Sequence, residues 1–241
     1  MFSLNAKEVV EKIFIPLRKK LKNKDTRKNT VELLATRLEF NPFESEFLDY
    51  GETKPASKVY IYNELLWYGS QDLNINGHQG IQHNSTWERC ATKDGYVNSN
   101  YGYLVYSLAN GSQFQHALEA LLNDKYTRQS VIIYNRPEMH IQSKDGIHAN
   151  YDFTCTMYTQ QFIDEESRFI MIVNMRSNDA IYGLQNDYTW QRQVYMEMYN
   201  KLRGKYPSLQ PGKIIWLSGS THVYEWHYDL LIKIVKEYKK K

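Results

Sequence analysis

Phe153-Thr154-Cys155-Thr156-Met157-Tyr158-Thr159-Gln160-Gln161-Phe162-Ile163, then Asp164-Glu165-Glu166, then Phe169-Ile170-Met171-Ile172-Val173-Asn174-Met175, is the stretch whose reading decides the fold. Two runs rich in β-branched and aromatic residues flank an acidic turn, which is the pattern of a β-hairpin. The first run carries Cys155, and the second ends in Met175-Arg176-Ser177-Asn178-Asp179. A hairpin can bring an arginine close to a thiol. A nearby guanidinium lowers a thiol's pKa and raises its thiolate fraction, and it can also hold a phosphate bidentately. The spacing therefore allows a cysteine nucleophile with an anion clamp. A second reading makes Cys155 a small buried core residue, the usual place of a lone cysteine in a strand. Spacing alone leaves both open.

Working outward, Ala6 to Leu21 reads as a helix, with Val9, Val10, Ile13, Phe14, Leu17 and Leu21 at helical spacing and Pro16 arguing for a bend or break. A polar stretch, Asn23 to Asn29, precedes the strand-like Thr36 to Phe40. Val59 to Tyr68 predicts a helix with Ile61, Leu65 and Tyr68 on one side, and Gly69 to Val97 reads as loop with short helical pieces. Ser112 to Leu122 predicts a helix capped by Ser112, with Phe114, Leu118, Leu121 and Leu122 inward. Ser130 to Tyr134 and Lys213 to Leu217 add strands, and a long helix spans Asp187 to Leu202 with Val194, Tyr195, Met198 and Leu202 apolar. Interleaving without strict alternation predicts an α/β (α+β) chain with a mixed sheet covered by helices. No repeat and no Pro-, Gly- or Ser-rich linker divides it, so residues 1–241 read as a single domain.

Composition narrows the partners. An apolar fraction of 42% and a charged fraction of 24% suit a folded soluble domain. The net charge of +3 is weak and falls largely at Arg18-Lys19-Lys20, Lys22, Lys24 and Lys239-Lys240-Lys241. That balance fits an anionic small molecule better than a nucleic acid, which calls for a basic stripe. Cys90 and Cys155 are far apart and lack metal-ligand spacing, and His222 and His227 are five apart, so no metal site is expected. No apolar run approaches the ~20 residues a bilayer requires, and no secretory signal is readable. A cytoplasmic protein is expected.

Five ordered blocks then carry a resemblance. They are Glu64-Leu65-Leu66-Trp67-Tyr68, Asn100-Tyr101-Gly102, Phe153-Thr154-Cys155-Thr156, Met175 to Asp179 with Gly183 and Asn186-Asp187-Tyr188, and Gly219-Ser220-Thr221-His222-Val223-Tyr224 with His227. In this order and over this span the chain resembles the thymidylate synthase family. Asn98 to Gly102, Ile133-Tyr134-Asn135-Arg136-Pro137, Val173 to Asp179 and Asn186 to Gln191 read most like its phage deoxycytidylate (dCMP) hydroxymethylase branch. The resemblance implies that fold, a homodimer packed through the sheets, and 5,10-methylene-tetrahydrofolate as co-substrate. It implies a transferase making hydroxymethylated dCMP for modified-base DNA precursors; CMP or dUMP hydroxymethylation, thymidylate synthesis and a non-catalytic nucleotide- or RNA-binding regulator are the alternatives.

Roles follow position by position from the resemblance. Cys155 would attack carbon 6 of the pyrimidine, making carbon 5 nucleophilic. Arg176 and Ser177 match the phosphate-holding pair, and Arg128 matches the arginine supplied across the dimer interface. His222 and Tyr224 match the sugar-binding pair, Tyr101 a substrate-side tyrosine, Glu64 the organiser of proton transfer and water, and Asp179 and Trp87 the folate-contacting positions. Asp187 stands where thymidylate synthases carry a base-reading asparagine. A carboxylate only accepts, which suits the exocyclic amine and protonated ring nitrogen that cytosine presents after thiolate attack. Uracil would leave buried polar groups unpaired, at roughly 1–3 kcal/mol or more. A second reading makes Asp187 the N-cap of the helix beginning there.

Thymidylate synthases end in a short apolar tail that excludes water and protects hydride transfer. Lys236-Glu237-Tyr238-Lys239-Lys240-Lys241 lacks that character, so attack by water positioned by Glu64 is expected. The chain departs from the family at Arg128-Gln129, where two arginines are usual. An early phosphate-binding arginine would be Arg27, with Lys24 and Lys28 within reach of the same alignment, and Arg136 has no assigned role.

Overall fold

The computed structural model describes residues 2–141 and 152–240. Lys241, the end of the lysine-rich stretch, lies outside them. In chain order the elements begin with α1 (Leu4–Val9), a π-helical turn (Val10–Phe14), α2 (Ile15–Lys22), β1 (Thr30–Phe40) and α3 (Lys58–Ser70). Next come α4 (Ser85–Cys90), α5 (Tyr101–Tyr106), α6 (Gln113–Asn123), β2 (Val131–Ile133), α7 (Glu138–Ile141) and β3 (Thr156–Ile163). The chain closes with β4 (Arg168–Met175), β5 (Asn178–Asp179), α8 (Gly183–Arg203), β6 (Gln210–Tyr224) and α9 (Tyr228–Tyr238). The strands form a mixed sheet in the order β1-β6-β4-β3-β2, with β5 beside β6. The α/β reading is borne out. No described helix is long and apolar enough to cross a membrane.

The chain divides into two compact units, Met1–Ala56 with Gln161–Lys241, and Ser57–Gln160. In the first, β6 is the central strand. It pairs antiparallel with β1 from Thr30↔Tyr224 to Phe40↔Ile214 and parallel with β4 from Arg168↔Gln210 to Met175↔Ser218. The expected hairpin turn is present: Asp164 N donates to Arg168 O at 3.0 Å, and Ser167 adopts φ 61°. Phe40 packs edge-on against Tyr188 and Trp216, while Phe169 meets Tyr195 of α8. Val194, Tyr195, Met198 and Leu202 are all buried, as their spacing predicts.

Pro16 does not break the first helix. A proline withholds the N–H that an α-helix needs there. The wider π-turn just before it absorbs the mismatch, with Ile15 N donating to Val10 O. Strand β6 is far longer than the apolar run Lys213 to Leu217, because ladder bonds on both edges carry polar residues through to Tyr224.

In the second unit, β2 pairs antiparallel with β3 from Val131↔Gln160 to Ile133↔Tyr158. The buried stripe of α3 is Ile61, Glu64, Trp67 and Tyr68, so the expected Leu65 is replaced on it by a carboxylic acid. Ser112 sits at the N-cap of α6 but in a left-handed conformation, φ 46°, with no side-chain cap bond. Phe114, Leu118 and Leu121 are buried as expected, joined by Ala117 in place of Leu122.

Candidate active site

In the first unit the sequence blocks converge at the end of β6. Arg176 immediately follows β4, and β5 then pairs with β6 through Asn178↔Thr221 and Asp179↔His222. Gly219 is required here, because a Cβ on it would lie 2.9 Å from Arg176 O. Only a hydrogen at that position lets the main chain of Arg176 run against β6. Opposite, Ala35 takes φ 52° where the β1–β6 pairing skips from Leu34↔Ser220 to Thr36↔Ser218. Ser177 is half-buried and Arg176 is exposed.

Asp179 closes the turn into α8: its carboxylate accepts from Ile181 N at 3.0 Å and Tyr182 N at 3.4 Å. The helix therefore starts at Gly183 with Tyr182 as N-cap. Asp187 is one turn inside it, so the capping reading of Asp187 is overturned; the cap-like work falls to Asp179. Asp187 Oδ2 accepts from Asn178 Nδ2 at 3.1 Å.

His222 is 7% exposed, and its Nε2 is buried with no hydrogen-bond partner among the described residues. Burial pushes its pKa below the ordinary value, against the pull of Asp179 and Glu32. A neutral imidazole with an unsatisfied ring nitrogen is a ready partner for a hydroxyl. Tyr224 meets His222 edge-on at 4.8 Å and stacks on Trp226 at 4.6 Å. Beside this, Lys54 is buried, bonded to Gln185 Oε1 and 4.2 Å over the Tyr182 ring. Burial lowers its pKa to about 8, with Asp179 and Asp49 opposing. Arg27 pairs with Glu32 at 3.0 Å, and Ser220 Oγ donates to Glu32 at 2.7 Å. The latter bond is the main reason the Glu32 carboxyl lies below its usual pKa.

The second unit holds Glu64, Trp87, Tyr101, Arg128 and Cys155. Glu64 is 6% exposed on α3, one turn after Tyr60, whose hydroxyl donates to Glu64 Oε1 at 2.8 Å. Trp87 Nε1 donates to the same hydroxyl at 2.9 Å. Burial raises the Glu64 pKa to about 7, and the bonds from Tyr60 and Trp87 hold it from rising further. A carboxylic acid titrating near neutrality suits general acid–base work.

Cys155 immediately precedes β3 and is half-buried, so the fully buried core-cysteine reading does not hold. Thr156 donates to the Tyr101 hydroxyl from its main chain at 3.4 Å and its side chain at 3.2 Å. Three residues before the cysteine, the Asp152 carboxylate accepts from Asn98 N at 2.8 Å, Ser99 N at 2.6 Å and Ser99 Oγ at 2.7 Å. Asn100 caps α5 by accepting from Tyr103 N at 2.8 Å, while its amide donates to Trp67 O and Asp72 O. Gly102 follows because a Cβ there would lie 1.7 Å from Tyr68 O. Arg128 is exposed just before β2, and its carbonyl accepts from Gln160 at 3.0 Å. Sequence reading assigned no role to Tyr60, Asp152, Lys54 or Asn178. The Tyr60–Glu64 spacing of four on a helix was the one available signal.

Two surface grooves, of about 440 Å³ at Phe43, Arg168 and Lys213 and about 340 Å³ at Val131, Met157 and Tyr158, contain none of these residues. In the first, Arg168 and Lys213 are each paired with a surface carboxylate, Asp164 and Glu39, and the second is lined mainly by apolar and aromatic side chains.

The model of the family described as Thymidylate synthase matches residues 7–241. The deoxycytidylate 5-hydroxymethyltransferases of Enterobacteria phages T6 and T4 are each 37% identical over 175 residues, 71% of this chain and 69% of theirs. The thymidylate synthase of Corynebacterium aurimucosum is 25% identical over 215 residues, 85% of this chain and 72% of its own. The five-block resemblance is thus borne out, and the chain belongs to the thymidylate synthase family, a family of folate-dependent transferases, with phage deoxycytidylate 5-hydroxymethyltransferases among its relatives.

Proposed function

We propose that the protein is a deoxycytidylate 5-hydroxymethyltransferase, converting dCMP, methylene-tetrahydrofolate and water into 5-hydroxymethyl-dCMP and tetrahydrofolate. The observation that carries the choice of base is Asp187, a carboxylate one turn inside α8 that already accepts an amide N–H from Asn178. Such a group is held as an acceptor, matching the donors of cytosine and opposing the carbonyl of uracil.

The residues divide the work. Arg176 and Ser177, with Arg128 from the second subunit of a homodimer, hold the phosphate. His222, neutral and with an unsatisfied Nε2, and Tyr224 take the sugar hydroxyl. The Cys155 thiolate adds to carbon 6, which makes carbon 5 the nucleophile. The half-exposed indole of Trp87 and the half-buried carboxylate of Asp179 are the residue types that stack on and hydrogen-bond a pterin-like ring, so they suit folate. When bound, the folate supplies the one-carbon unit. Glu64, with a pKa of about 7, moves the carbon 5 proton and orients the water that completes the hydroxymethyl group. The thiolate then leaves carbon 6.

The test is incubation with dCMP, CMP or dUMP and methylene-tetrahydrofolate, recording the nucleotide product's mass. A gain of CH2O on dCMP is expected, with none for Cys155→Ala. A gain of CH2 with dihydrofolate as co-product, or preferential use of dUMP, would overturn the proposal.

A further inference from the structure

Asn178 is 2% exposed, on a two-residue strand fixed to β6 by Asn178↔Thr221 and Asp179↔His222. Its Nδ2 donates to Asp187 Oδ2 at 3.1 Å, while its Oδ1 is buried with no hydrogen-bond partner among the described residues. The amide has one permitted orientation, since only its nitrogen can face a carboxylate. An unpaired buried amide oxygen lowers stability, so packing alone favours an apolar side chain at this place. What the amide gains is control of Asp187.

Gly183 stands four residues before Asp187 on the same face of α8, and a Cβ there would lie 3.8 Å from both Asn178 Nδ2 and Asp187 Oδ2. These are ordinary contact distances, so the amide–carboxylate pair lies directly against the helix entrance. The amide N–H directed at Asp187 Oδ2 uses that oxygen as an acceptor.

We propose that Asn178 is a positioning residue for base choice, holding Asp187 as an oriented acceptor so that the site takes cytosine and refuses uracil. This rests on the assignment of Asp187 as the base-reading group. Asn178→Ala removes the donor, and Asn178→Asp places a second carboxylate against the first so that the pair shares a proton and presents a donor.

The experiment measures equilibrium binding of dCMP and dUMP without folate, and kcat/KM for both nucleotides, in wild type, Asn178→Ala, Asn178→Asp and Asn178→Ser. The dCMP:dUMP preference is expected to fall about tenfold in Asn178→Ala and further in Asn178→Asp. Asn178→Ser, which keeps a short donor, should retain more of the preference than Asn178→Ala and serves as the reading if alanine prevents folding. An equal loss for both nucleotides, or an unchanged ratio in a folded variant, would overturn the proposal. Asp187→Asn run alongside separates the two claims. If it leaves base preference unchanged, the Asp187 assignment itself fails; if it shifts preference while the Asn178 variants do not, only the role of Asn178 fails.

Discussion

Replacing Glu64 by glutamine should make the protein more stable at high pH, and by an amount that depends on pH. The carboxyl is 6% exposed, and its pKa moves from an ordinary 4.5 to about 7, chiefly through burial. The folded state thus binds this proton more tightly than the unfolded state. Whatever stability the protonated acid allows is fully present below about pH 4.5 and is lost as pH rises through about 7. At ~1.4 kcal/mol per pKa unit, the full cost of ionising Glu64 in place is about 3 kcal/mol, and about 2.5 kcal/mol of it develops between pH 5 and pH 8. Glutamine keeps the shape and does not titrate. The difference between variant and wild-type melting temperatures should therefore widen by about 5–10 °C from pH 5 to pH 8, at 2–4 °C per kcal/mol for a chain of this size. Thermal melts of both proteins across that range provide the measurement, and subtraction removes every other titrating group. Parallel curves would refute the buried-acid argument. Turnover of the glutamine variant should meanwhile fall about 10²–10⁴-fold.

Gly102→Ala should cost several kcal/mol, measured by urea unfolding, because its Cβ would fall 1.7 Å from Tyr68 O and backbone cannot rotate away. Asp152→Ala strips the acceptor from Asn98 N and Ser99 N, which should cost about 2–4 kcal/mol and lower kcat through the displaced Cys155 segment. Arg176→Lys should raise KM for the nucleotide about tenfold with a smaller change in kcat, since lysine cannot grip a phosphate bidentately; steady-state kinetics over a range of dCMP concentrations check this.

Periodicity located most large elements, because helices such as α8 and strands such as β4 bury one apolar face, but it passed over α9, whose buried Leu231, Ile234 and Val235 lie among the polar and charged residues of the lysine-rich end. It shortened β6 to its apolar middle, since the polar residues from Ser218 to Tyr224 are strand only because β1 and β5 hydrogen-bond to them. It put Leu65 on the buried side of α3 where Glu64 lies, because an apolar rule cannot foresee a buried acid. The glycines at 102 and 219 were legible as motif letters, while their reasons, close approach by Tyr68 O and Arg176 O, are tertiary. The candidate roles came from block order; Tyr60, Asp152 and Asn178 emerged only once side-chain partners could be traced.

The ladder between β4 and β6, whose offset β5 keeps from Met175↔Ser218 to Asp179↔His222, has a further meaning for the residues at the strand's far end. A slip of a single position would set Thr221 or Val223 beside Asp179 in place of His222, trading an imidazole for a hydroxyl or a hydrocarbon. The ladder thus works as a reading frame: its length, running back to Arg168↔Gln210, ensures that the correct letter is presented beside Asp179.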